Sequence, residues 1–197
     1  MDPSVLIPTP DPIPVHWGWF KLLLLLTFML HLLLMNAMLG SGLIALAGRL
    51  RKGAGKTPPV FEKEVSEKLT FLIAFTVNLG VAPLLFLQVL YGHFMYTSSI
   101  LMAVYWLSLI LIIIIAYYSI YIYDFKFNAL GQGRKIFLAL GVLLLLWTGF
   151  VFSNNMTLML QPEKWGRYFT NPFGTLLNTG DPMLIPRYLH FVTASVA

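Results

Sequence analysis

The chain has 197 residues, of which 58% are hydrophobic and only 11% charged, with 13 Lys and Arg against 8 Asp and Glu for a formal net charge of +5. Soluble domains are about a quarter charged, so this composition excludes an ordinary water-soluble enzyme and points to an integral membrane protein. Cysteine is absent, which excludes disulfides, thiolate-held iron–sulfur clusters and covalent c-type haem, and no basic stripe interleaved with aromatics marks a nucleic-acid partner.

Residues 1–16, MDPSVLIPTPDPIPVH, are kept from helix by Pro3, Pro8, Pro10, Pro12 and Pro14 and read as an extended arm. The arm carries no Lys or Arg, so it lacks the basic start of a cleavable signal, and the hydrophobic segment after it is expected to stay as a span. That first span, residues 17–48, reads WGWFKLLLLLTFMLHLLLMNAMLGSGLIALAG. About twenty apolar residues cross a bilayer as a helix, so it is long enough to cross with tilt. Lys21 lies within a turn of Trp17, Trp19 and Phe20 and can snorkel to the interface. His31, set among leucines, has no such escape and must find a partner. Two readings stay open: a hydrogen bond to a neighbouring helix through one ring nitrogen, or ligation of a haem iron.

A basic loop at 49–68 leads to a second span, 69–91, in which Pro83 predicts a kink. The uncharged stretch GHFMYTSS, 92–99, reads as a short turn into a third span at 100–123, whose Tyr117, Tyr118, Tyr121 and Tyr123 form an interfacial belt. A second basic turn at 124–135 precedes a fourth span at 136–153. The polar segment 154–186 is too long for a simple connector and is expected to cap the bundle, with Trp165, Tyr168, Phe169 and Phe173 along the membrane surface. A fifth span starts near Arg187, but the ten residues after it cover about 15 Å, half a hydrocarbon core. The expected fold is therefore an all-α membrane bundle over 17–197, with four full spans and the start of a fifth. Another polypeptide, or a later part of a longer chain, is expected to complete it. The basic clusters place the 49–68 and 124–135 loops in the cytoplasm, and the N-terminal arm, 92–99 and the 154–186 cap outside.

The ordered set FKLLLLLTFMLHLLLMNAMLG, LGVAPLLFLQVLYG, a Tyr-Asp pair closing the third span, LWTGFVFSNNM and LLNTGDPMLIPRYLHFVTASV resembles the N-terminal half of subunit I of the cytochrome bd family. The resemblance implies a bacterial or archaeal cytoplasmic-membrane protein of the respiratory chain with quinone as substrate. It implies two haem-iron ligands: His31 at the oxygen-reducing site, and His190, beside Arg187, for a low-spin b haem. Other membrane subunits are expected to complete the bundle and the haem sites, and the redox reading expects an outer-face partner such as a cytochrome c or another redox subunit.

Two departures matter. Gln88 stands where the family has a glutamate, and Val104 falls near a second acidic position; all eight acidic residues lie in loops or at span ends. A glutamine hydrogen-bonds but does not titrate, and buried proton relays are usually built from carboxylates or histidines. The expectation is thus a bd-like b-haem subunit that moves electrons between the quinone pool and outer-face partners, part of an oxidoreductase rather than a complete enzyme. Haem d is not favoured. The alternatives are a working bd-type quinol:oxygen oxidoreductase and, in another class, a haem-free anchor or quinone-site subunit in which both histidines are structural.

Met35 and Met38 follow His31 on the same helix face and read as pocket lining, with Gln88 and Arg187. His93 is a turn histidine, an extra ligand, or a proton group replacing the missing carboxylate. His16 reads as interfacial, Asn36 as hydrogen-bonding across helices, and Asn154 and Asn155 as helix-terminal caps. No Gly-rich phosphate loop, HExxH or Ser-His-Asp set is present, which disfavours a hydrolase.

Overall fold

A computed structural model describes residues 5, 7, 12–51 and 60–197; most of the expected N-terminal arm and the middle of the first basic loop lie outside the described residues. Helices α1 (Trp17–Arg51), α2 (Val60–Leu101), α3 (Ala103–Phe125), α4 (Arg134–Met159) and α5 (Leu184–Val196) are joined by short 3-10 segments at Gly131–Gly133 and Pro162–Phe169. No strand occurs among the described residues. Four helices are long and apolar enough to cross a membrane: Trp17–Leu50, Lys63–Leu101, Ala103–Phe125 and Arg134–Met159. The protein is an all-α membrane bundle.

Between apolar helices in lipid the hydrophobic effect supplies no attraction, so close packing at small residues must do so. The structure is built that way. A Cβ on Gly40 of α1 would overlap the Ser195 carbonyl oxygen of α5. One on Gly42 would meet Val142 of α4 at 3.0 Å, and one on Gly141 of α4 would meet Ile120 of α3 at 2.6 Å. Large side chains fill the space these contacts leave. Met38, Leu69, Ile73, Ile120, Tyr123, Leu138 and Val142 form one core, and Leu101, Met102, Leu109, Val151, Leu158 and Trp165 form another.

The two ends of the bundle differ. At the basic end, Ser66 and Thr70 of α2 donate to the two carboxylate oxygens of Asp124 at 3.3 and 3.5 Å. Arg49 donates to the Gly131 carbonyl at 3.1 Å, and Arg134 donates to the Phe127 carbonyl at 3.0 Å while lying over its ring. At the cap end, the segment after α4 folds back across the bundle. The Val104 amide donates to the Gly174 carbonyl and the Leu176 amide to the Leu101 carbonyl, both at 3.0 Å, tying the cap to the junction of α2 and α3. Gly174 is required there twice over: its φ is +68°, and a Cβ would meet the Ala103 side chain at 2.8 Å.

The structure corrects several boundaries. The second span ends at residue 91 as expected, at a kink that divides α2, but the expected turn at 92–99 is itself a helical stretch, and Met102 separates it from α3. Hydroxyl groups hold that stretch: Thr97 donates to the His93 carbonyl at 2.7 Å, and Ser98 to the Met95 carbonyl at 3.0 Å. The residue with non-helical angles inside α2 is Tyr91 (φ −135°, ψ 30°); Pro83 lies within the helix. The fourth helix continues to Met159, so the cap begins six residues later than expected, and α5 starts at Leu184, before Arg187. Asn154 and Asn155 therefore do not cap their own helix; they lie buried inside it.

Candidate functional site

His31 lies fourteen residues into α1, opposite the middle of α2. Its Nδ1 is 3.0 Å from the Thr76 carbonyl oxygen. A carbonyl only accepts, so Nδ1 carries the proton, and in the neutral ring Nε2 keeps its lone pair. Gly80, one turn beyond Thr76, makes room for the ring: a Cβ there would meet His31 Cε1 at 2.8 Å. The helix spacing explains the arrangement, because Leu69, Ile73, Thr76, Gly80 and Pro83 repeat at three- and four-residue steps and form the face of α2 turned to its neighbours. Met38 is buried in the core beside Leu69 and Ile73, and Met35 packs against the same core. Both methionines thus share the packed side of α1 with His31.

His190 stands in a different setting. On α5, Tyr188 donates its hydroxyl to the Leu146 carbonyl at 3.1 Å and packs edge-on to Phe150, while Phe191 meets Gly149 and Ser195 meets Gly40. That face is turned to α4 and α1. Arg187, His190 and Ala194 are all exposed and form another face of the same helix. The structure therefore brings Arg187 and His190 together one turn apart on α5.

Gln88 is half-buried on α2, twelve residues past Thr76, about 18 Å along the helix. It is not part of the His31 surroundings; at that level Phe86 of α2 meets Phe20 of α1, ring centroids 6.2 Å apart. His93 is half-buried in the helical stretch that replaces the expected turn. His16 is exposed, accepts from the Gly18 amide at 3.1 Å and stacks on Trp17. Asn36 does not make the expected cross-helix bond through its oxygen: Oδ1 is buried without a hydrogen-bond partner among the described residues. Asn36 lines a groove of about 380 Å³ between α1, α2 and α5, with Gly40, Ser41, Glu64, Lys68 and Ser195.

The cap builds the approach to α5. Asn178, almost fully buried, is its hub. Its amide donates to Asn154 Oδ1 at 2.9 Å, its Nδ2 to Thr157 Oγ1 at 3.1 Å and Gln161 Oε1 at 2.9 Å, and its Oδ1 accepts from Lys164 at 2.7 Å. Asp181 accepts from Gln161 Nε2 at 3.1 Å and, through its other oxygen, from the Met183 amide at 2.8 Å, just before α5 begins. Asn154 and Thr157 of α4 thereby set where α5 starts.

Among the described residues no group of three or more His, Cys, Asp or Glu could hold a free metal ion. A haem asks less of the protein, since the porphyrin supplies four ligands and the chain only an axial one. His31 meets one requirement of an axial ligand: metal-bound histidines almost always donate the other ring N–H to a carbonyl, carboxylate or water, as Nδ1 does to Thr76. His190 offers an imidazole on an open face, next to a cation.

Comparison of the chain with protein-family models, with curated proteins and with solved structures finds no significant match. The partners of His31 were not singled out in the sequence. The signal the sequence holds is Gly80, a small residue on the packed face of α2 that lets a neighbouring side chain approach.

Proposed function

We propose that the chain is a haem-b-binding membrane subunit of a respiratory electron-transfer complex, moving electrons between the quinone pool and redox partners at the cap end. The observation that supports it most is the Nδ1 to Thr76 hydrogen bond, which orients the ring in the middle of a membrane span and, in the neutral imidazole, leaves the Nε2 lone pair for a metal. A bound b haem would supply one-electron redox chemistry. The chain's part is to hold its ligands: Thr76 and Gly80 orient His31, and the packing of Tyr188, Phe191 and Ser195 turns His190 and Arg187 outward, toward a wall built from elsewhere. The groove lined by Asn36 suits a quinone ring, whose hydroxyl form would donate to the unpartnered Oδ1. Gln88 cannot titrate and stands far along α2 from His31, so we propose quinone-linked electron transfer without oxygen reduction at a bd-like rate. The positive-inside rule puts the basic end in the cytoplasm and the cap outside.

The same hydrogen bond also favours a second reading, in which His31 is an interhelical staple and the chain a haem-free anchor. Pyridine haemochrome analysis of the purified complex separates the two. Haem b in stoichiometric amount supports the proposal; its absence leaves the anchor. Fast, cyanide-insensitive oxygen uptake would overturn the claim about oxygen and return the chain to a working oxidase subunit.

A further inference from the structure

The cap carries two of the most exposed aromatic side chains in the described structure, Phe169 at 83% and Phe173 at 77%. Beside them Tyr168 is 42% exposed, while Trp165 is buried, its ring against Phe94 and its Nε1 donating to the Leu158 carbonyl at 3.0 Å. So one aromatic of the Pro162–Phe169 segment anchors it to the bundle, and the remaining rings point away from that anchor.

The depth of these rings follows from α3. Its 23 residues rise about 34 Å, little more than the roughly 30 Å hydrocarbon core, so Ala103 and Val104 at its start sit at the hydrocarbon boundary. Val104 is hydrogen-bonded to Gly174, which fixes residue 174 at that same level, and Phe173 is its immediate neighbour. Ile100, Val104 and Leu107 are exposed along α2 and α3 there, so an apolar surface runs from the membrane-spanning face to the cap. Arg167, also exposed, supplies a positive charge in the same short segment, as anionic headgroups favour.

We propose that Phe169 and Phe173 form an apolar foot that rests in the leaflet at the cap end, at the boundary between headgroups and acyl chains. Aromatic rings concentrate at that depth because one part of their surroundings is apolar and the other wet. The foot holds the cap down over α4 and α5 from the lipid side, as the Asn178 network does from the protein side. It also accounts for positive charge at an end of the bundle where the basic loops are not. This inference does not depend on haem.

The chain has no cysteine, so each single substitution gives it one label, and the parent complex serves as the blank for any cysteine of a partner subunit. Phe169→Cys and Phe173→Cys are spin-labelled in the intact membrane complex and reconstituted in vesicles, with Leu107→Cys as a lipid control and Thr179→Cys as an exposed cap control. Power saturation then compares collision with oxygen, which partitions into lipid, and with a water-soluble nickel chelate. The foot predicts oxygen dominating at 169 and 173, as at 107, and the chelate dominating at 179. Chelate dominating at 169 and 173 would place the rings in water, and low access to both reagents would place them under another protein; either result overturns the proposal.

Discussion

Two histidines in the same bundle occupy opposite kinds of environment. His31 lies between α1 and α2, with Thr76 and Gly80 of this chain forming its surroundings and one ring nitrogen already bonded. His190 lies on an exposed face of α5, whose other face is spent on α4 and α1. The contrast teaches how far one chain can specify a site. An interhelical position is defined by two walls that pack together, and a lone helix face is defined by one. The orientation of His31 is thus internal to the described residues, whereas any site at His190 is half-built by them.

The largest effect should come from Gly40→Leu. A side chain there overlaps the Ser195 carbonyl oxygen, and backbone cannot yield as a flexible side chain does, so the docking of α5 should be lost at a cost above about 3 kcal/mol. The comparison sharpens because His31 is on another part of α1. Crosslinking between cysteines placed on α5 and α4 should disappear, while crosslinking between α1 and α2 persists. Loss of both would mean that the two regions are not independent.

Asn178→Ala acts one step earlier, on the cap that leads into α5. It removes one hydrogen bond each from the buried Thr157 and the half-buried Gln161 and Lys164, so a loss of about 1–3 kcal/mol is expected. The check is the thermal midpoint in detergent, which should fall, together with faster proteolysis within 160–183. An unchanged midpoint would remove the network from the account.

The smallest effect is expected at Thr76→Val. The carbonyl of residue 76, not its hydroxyl, bonds His31, and Oγ1 is buried with no partner among the described residues. Replacing an unpaired buried hydroxyl with a methyl of similar shape should change stability by less than about 0.5 kcal/mol, or raise it. A loss above about 1 kcal/mol would show that the hydroxyl holds a water or ligand beside His31.

How much of this was readable beforehand follows the same divide. The spans were legible because runs such as ILIIIIAYYSIYIY have only one way to satisfy their backbone in lipid. His31 stood out because an ionisable group among leucines demands a partner. The partner itself was hidden, because Thr76 contributes a carbonyl, which every residue has. The stretch 92–99 misled because Gly92 and the hydroxyl residues resemble a turn, whereas Thr97 and Ser98 bond back to their own helix and Phe94 packs on Trp165. Asn154 reads as a cap of its own helix, yet it lies inside that helix and accepts from the Asn178 amide, a contact 24 positions away that no local pattern marks.

The central claim, that both histidines hold haem from unlike settings, is tested most directly by reduced-minus-oxidised spectra of the complex carrying His31→Ala or His190→Ala. The account predicts that each variant still inserts and that each loses a different b-type component. His190→Ala should abolish a low-spin α-band, because a buried iron stripped of an imidazole has no cheap substitute. Spectra identical to the parent in both variants would contradict it and leave His31 as a hydrogen bond between helices.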